Sequence, residues 1–150
     1  PKQPQTEGRH ESIELAEDAW EEPVLLAALR QLTERLMAQV RAGGAEIRRL
    51  TLDLRYADRD ETRRSFDAPE PTALESEFLP VLPKLLADTW TRRVRIRSLR
   101  LSASRVYRPS PQLDLFAPPP RREADVKLAS TIDRLRRRFG QTIVQRGFAA

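Results

Sequence analysis

The chain has no cysteine among its 150 residues, so it can form no disulfide and offers no thiolate to a metal. Histidine occurs once, at His10 in a polar N-terminal stretch, which makes it a poor catalytic candidate. No apolar run approaches the ~20 residues that span a bilayer. The N-terminus carries no signal-peptide pattern. These absences together lead us to expect a cytoplasmic protein with no membrane partner. No Walker loop, nucleophile elbow or zinc-ligand spacing is present. The chain does not begin with methionine, which reads as a fragment or a processed product. Apolar residues make up 39%, and the 12 prolines cluster at the N-terminus, between Pro69 and Pro83, and around residues 109–120. We expect one core of about 100 residues with tails.

Charge is distributed unevenly. Residues 11–22 hold Glu11, Glu14, Glu17, Asp18, Glu21 and Glu22 and no base. Residues 92–108 hold Arg92, Arg93, Arg95, Arg97, Arg100, Arg105 and Arg108 and no acid. Such an arginine run suits a polyanion, because the guanidinium fork grips phosphate in two places. A solvated basic face is the plainer reading.

The apolar pattern orders the elements. Ile13 and Leu15 alternate within a short strand from Glu11 to Trp20. Pro23 opens a helix, in which Leu25, Leu29, Leu32, Leu36 and Val40 recur at helical spacing before Gly43 and Gly44 stop it. From Ile47 to Tyr56, the residues Leu50, Leu52, Leu54 and Tyr56 face inward, while Arg49, Thr51, Asp53 and Arg55 face outward. Asp58-Arg59-Asp60 marks a turn, Thr62 to Phe66 returns as a partner strand, and a Pro-rich bend follows. Phe78, Leu82, Leu85, Leu86 and Trp90 mark a second helix, with Pro80 and Pro83 in its first turn or before it. Val94 to Val106 is the last strand. Its inward parity shifts from Ile96 to Leu99, as a bulge at Ser98 would cause. A third helix is expected over 123–140, with Val126, Ala129, Ile132, Leu135 and Phe139 as its stripe. It can pack on the core or stand apart.

The fold class expected is α+β, in the order βαββαβ: a four-stranded antiparallel sheet with two helices on one face. The opposite face would present Arg49, Thr51, Arg55, Arg95, Arg97 and Arg100, a surface suited to phosphates. The divisions are a tail over 1–10, a domain over 11–108, a Pro-rich segment over 109–122, a helix over 123–140 and a tail over 141–150.

The segment Gln112-Leu-Asp-Leu-Phe116 lies among prolines that exclude a helix or a central strand. Apolar plugs on an extended peptide commonly fill a partner's pocket. The pentapeptide resembles the sliding-clamp-binding peptide of bacterial replication and repair proteins. Its alternative is a linker that tucks Leu113, Leu115 and Phe116 onto its own domain.

Four further stretches carry a wider resemblance. They are Glu11-Ser-Ile-Glu-Leu15, Leu54-Arg-Tyr-Ala-Asp58 with Thr62-Arg-Arg-Ser65, Val94-Arg-Ile-Arg-Ser-Leu-Arg-Leu-Ser102, and Ile132-Asp-Arg-Leu-Arg-Arg-Arg-Phe-Gly140. In this order the chain resembles the C-terminal little-finger domain of bacterial Y-family translesion DNA polymerases of the DinB, or polymerase IV, type. The resemblance implies a domain that grips template-primer duplex DNA through phosphates. Carried over by position, Arg63, Arg64 and Ser65 match a DNA-contacting segment, with Arg95, Arg97 and Arg100 on the last strand. Gln112, Leu113, Leu115 and Phe116 match the clamp peptide.

The chain by itself reads as non-catalytic. The metal-binding carboxylates of such polymerases lie in a palm that this sequence does not contain, so any magnesium belongs to the parent polymerase and this chain is expected to hold no metal or other cofactor. Asp53, Asp58, Asp60 and Glu61 read as turn formers rather than metal ligands. Within the family the alternative is a catalytically inactive polymerase-like mutagenesis subunit of the ImuB type. Outside it stand an RNA-binding ferredoxin-like module, which would need aromatics on the open face, and a structural interaction module.

Overall fold

The structure is a computed structural model that describes residues 4–5, 9–108 and 121–140, with side chains over 20–108 and 124–140. It separates into two units, Pro1–Ser110 and Pro111–Ala150. The first contains strands β1 (Pro4–Gln5), β2 (Arg9–Ala19), β3 (Glu46–Tyr56), β4 (Glu61–Thr72) and β5 (Ile96–Tyr107), with helices α1 (Glu22–Ala42) and α2 (Leu82–Thr89). The second contains helix α3 (Arg121–Phe139).

All strand pairs are antiparallel. The sheet runs β1-β5-β3-β4, and β2 also pairs with β5. Pairing therefore begins within the segment expected as a tail, at Pro4–Gln5 and again at Arg9. The sheet has five strands rather than the expected four, because β1 and β2 meet β5 separately, at Val106–Tyr107 and at Ile96–Ala103.

Helix α1 forms where expected. Leu25, Leu29, Leu32, Leu36 and Val40 are buried, joined by Ala28, Thr33 and Met37. Its end is a Schellman motif: the Gly44 N–H donates to the Arg41 carbonyl at 2.9 Å and the Ala45 N–H to Val40 at 3.1 Å. Gly44 lies at φ +65°, a conformation that a Cβ would strain.

Helix α2 is shorter than its apolar pattern. Phe78 precedes it between two single 3₁₀ turns, Glu75–Glu77 and Leu79–Val81. Pro83 stands in the first turn of α2, and Pro80 lies before it. Both helices pack on the same side of the sheet, α1 against β2 and β5 and α2 against β4 and β3. The core between them includes Ile47, Leu50, Leu52, Leu54, Tyr56, Ile96, Leu99, Leu101 and Ala103, all fully buried.

β4 departs from expectation, and β5 begins at Ile96 rather than Val94 with its bulge at Arg97 rather than Ser98. β4 does not bend away after Phe66 but runs on through Pro69 and Pro71 to Thr72. It is an edge strand, where a missing N–H is tolerated, and its register against β3 jumps between Asp67 and Thr72. β5 carries the expected parity shift. Arg55 pairs with Ser98 and Tyr56 with Ile96, leaving Arg97 as the extra residue of a bulge.

The turn between β3 and β4 is tied to the start of β5. Arg59 takes φ +75° at its tip. The Arg92 guanidinium bonds Asp58 at 2.6 Å and Asp60 at 2.7 Å and lies 5.2 Å from the Tyr56 ring centre. The buried Tyr56 hydroxyl accepts the Thr91 and Arg92 N–H groups at 3.1 and 3.3 Å. These contacts account for Asp58 and Asp60, which serve the turn. A second anchor is buried: Arg41 at the end of α1 pairs with Glu75 and donates to the Ala73 carbonyl at 2.9 Å.

Candidate nucleic-acid interface

Within the first unit, the sheet face opposite the two helices is built by strand alternation. On β3 it holds Arg49, Thr51, Asp53 and Arg55, because Leu50, Leu52, Leu54 and Tyr56 point into the core. The hairpin register sets Asp67 across from Arg49, Ser65 across from Thr51, Arg63 across from Asp53 and Glu61 across from Arg55. On β5, Ser104, Ser102 and Arg100 stand opposite Arg49, Thr51 and Asp53. No aromatic side chain is among these positions, and Tyr56 is fully buried on the other face. These positions therefore offer no stacking platform of the kind an RNA-binding ferredoxin-like module uses.

The expected arginines do not form one free basic field. Arg49 makes a two-pronged pair with Asp67, at 2.7 and 2.9 Å. Arg63 bonds Asp53 at 2.5 Å, and Arg55 lies 3.4 Å from Glu61. Ser65 and Thr51 share a hydroxyl hydrogen bond at 2.8 Å. The Arg49 hydrogen bond holds the Asp67 carboxyl below the usual carboxylate range, with burial opposing and the charges of Arg49, Arg105 and Arg48 assisting. Asp58 is lowered too, chiefly by the Arg92 hydrogen bond and then by the Asp60 N–H, against a small burial effect. Half of the face, along β3 and β4, is thus internally neutralised.

Arg64 is not on this face. It stands across from Leu52, at core parity on the edge strand, and stays exposed. Arg95 is also elsewhere: just before β5, with its guanidinium 5.5 Å from the ring centre of Trp20. Arg97 and Arg100 remain on β5, and among the described residues Arg100 has no ion-pair partner. The sequence reading counted Arg105 in the basic run but did not place it by this face; it lies at φ +53°, with its Nη1 3.9 Å from Asp67. It also missed Glu61, Asp53 and Asp67 as neutralising partners. The signal was available, since counting outward in twos from the Ala57–Asp60 turn pairs each arginine with its acid. Gln112, Leu113, Leu115 and Phe116 lie outside the described residues, as do residues 141–150. Among the described residues no three metal-ligating side chains cluster, and no helix is long and apolar enough to cross a membrane.

Residues 11–115 match the model of the impB/mucB/samB family C-terminal domain. The chain belongs to this family. A curated relative, DNA polymerase IV of Opitutus terrae, is 29% identical over 119 residues, which is 79% of this chain and 30% of that protein. The chain thus spans about a third of that relative's length. Among solved structures, the fold resembles a DinB family error-prone DNA polymerase from Sulfolobus solfataricus, with TM-score 0.63 and 13% identity over 71% of this chain and 31% of that one. It also resembles the complex of the beta-clamp processivity factor with the little finger domain of PolIV, with TM-score 0.52 and 17% identity over 75% of this chain and 97% of that one. The chain's α+β fold of antiparallel strands and helices is thus similar to that of the Y-family polymerase little finger.

Proposed function

We propose that this domain grips the template-primer duplex of an error-prone translesion DNA polymerase, and that its Gln112–Phe116 peptide binds the sliding clamp. The observation that carries the DNA reading is the open sheet face, where Arg100 of β5 stands beside serines and, among the described residues, has no ion-pair partner. Phosphates would meet Arg100 first, with Arg97 beside it on β5. Arg49, Arg55 and Arg63 would join only by exchanging a carboxylate for a phosphate, with Ser65 as a neutral hydrogen-bonding neighbour. Arg64 and Arg95 would touch DNA only outside this face. Such contacts are blind to sequence and steeply salt-dependent.

The clamp reading is supported by the pentapeptide and by the likeness to a little finger solved with a beta-clamp. Nucleotidyl transfer, and the magnesium it needs, would reside in a polymerase core outside this chain. The test is fluorescence anisotropy with labelled duplex DNA at several salt concentrations, beside calorimetric titration of a bacterial sliding clamp. Salt-sensitive, sequence-independent duplex binding and a clamp heat signal are expected. Absence of duplex binding at low salt would overturn the DNA reading.

A further inference from the structure

A cleft of about 620 Å³ opens where β5 begins, at the end of the sheet, and its lining includes Trp20, Trp90, Thr91, Arg93 and Arg95. Trp20 is the most exposed large apolar side chain among the described residues, at 65%. A bare indole is costly to leave in water, and nothing in the core requires it there, because it follows the last residue of β2. Trp90 is half-buried. Its Nε1 donates to the Val94 carbonyl at 3.3 Å, so its polar atom is satisfied from within.

The charged side chains that line the cleft are all arginines. Arg92 also borders the cleft, but Asp58 and Asp60 hold it. Arg95 is stacked on Trp20 and, among the described residues, has no ion-pair partner. Arg93 is exposed and has no ion-pair partner among the described residues. Glu21 and Glu22 follow Trp20 in sequence but are not part of the lining. A site with two indole faces, two unpaired guanidiniums and a threonine hydroxyl fits a ligand with a flat ring next to an anion.

The geometry points to a binding site for single-stranded nucleic acid, in which an unpaired base stacks on Trp20 and its flanking phosphates meet Arg93 and Arg95. Stacking on an aromatic face is tolerant of base identity, and arginine adds both charge and cation–π attraction. The site is separate from the duplex-binding face and does not depend on it.

The test uses the protein's own fluorescence. The chain has two tryptophans, and both line this cleft, so any change in indole emission reports on it. An oligothymidylate titrated at low salt is expected to quench the emission, and the quenching to be reversed by added salt. Affinity for the labelled oligonucleotide, followed by anisotropy, should drop about tenfold in Trp20→Leu. It should drop comparably in the Arg93→Ala, Arg95→Ala double variant. Duplex affinity should stay unchanged in Trp20→Leu, and circular dichroism should confirm the fold of both variants. The Arg97→Ala, Arg100→Ala variant should show the reverse, losing duplex while keeping the single strand. The inference is overturned by saturating oligonucleotide that leaves the emission unchanged, or by Trp20→Leu binding the strand as tightly as the parent. It is equally overturned by quenching with a glutamate-rich peptide and none with the oligonucleotide.

Discussion

Replacing Arg97 and Arg100 with alanine tests whether β5 is the gripping strand. On β3 and β4 the arginines of the open face already hold Asp67, Asp53 and Glu61. A phosphate approaching Arg49 must displace a two-pronged carboxylate, which then stays close by and repels it. Arg100 stands across from Asp53, but that carboxylate is held by Arg63, and Arg100 itself has no ion-pair partner among the described residues. Each arginine that neutralises a phosphate contributes about 0.9 to the slope of log affinity against log salt, so losing two should flatten it by about 1.8. Between about 50 and about 200 mM salt, ~0.6 log units, the parent should therefore lose roughly tenfold more affinity than the double variant. Anisotropy titrations with one duplex at four salt concentrations give both slopes. Arg100 is exposed, so the melting temperature should hardly move. Asp67→Asn frees Arg49 and should raise duplex affinity. The reasoning is refuted if the double variant keeps the parent slope while Arg49→Ala flattens it.

The Leu115→Ala, Phe116→Ala variant should lose clamp affinity by a factor of about a hundred or more, taking ~1.5–3 kcal/mol per buried side chain. A parent that never binds the clamp, beside a destabilised variant, would show that these residues pack on their own domain. Tyr56→Phe removes the acceptor for the Thr91 and Arg92 N–H groups and should lower unfolding stability by about 1–3 kcal/mol in urea titrations. A change within error would mean that water replaces the hydroxyl. Asp58 and Asp67 ionise more readily in the folded chain than in the unfolded one, so their stabilisation is complete above the usual carboxylate pKa of about 4 and is lost as pH falls through their lowered values. The urea midpoint should drop on acidification through that window, less so in the Asp58→Asn, Asp67→Asn variant; identical pH profiles would contradict it.

What the sequence determined by itself was local. Helical and alternating periodicities identify the buried sets of α1 and β3, because a side chain's direction depends only on its place in the repeat. The slip from Ile96 to Leu99 could be read for the same reason, and the structure turns it into the Arg97 bulge. Chemistry at Gly44 and Pro83 marked helix ends without help from distant residues. Tertiary structure alone decided which charges meet. Arg49 and Asp67 are 18 residues apart, and Arg41 and Glu75 are 34 apart. Composition counts such arginines as free, whereas register and packing bring acids against them. The continuation of β4 past Pro69 also escaped the sequence, since a proline is compatible with a strand only at a sheet edge, and edge position is a property of the whole sheet. Trp20 and Trp90 share a cleft because the end of β2 is brought beside the start of β5, a pairing that no local pattern encodes.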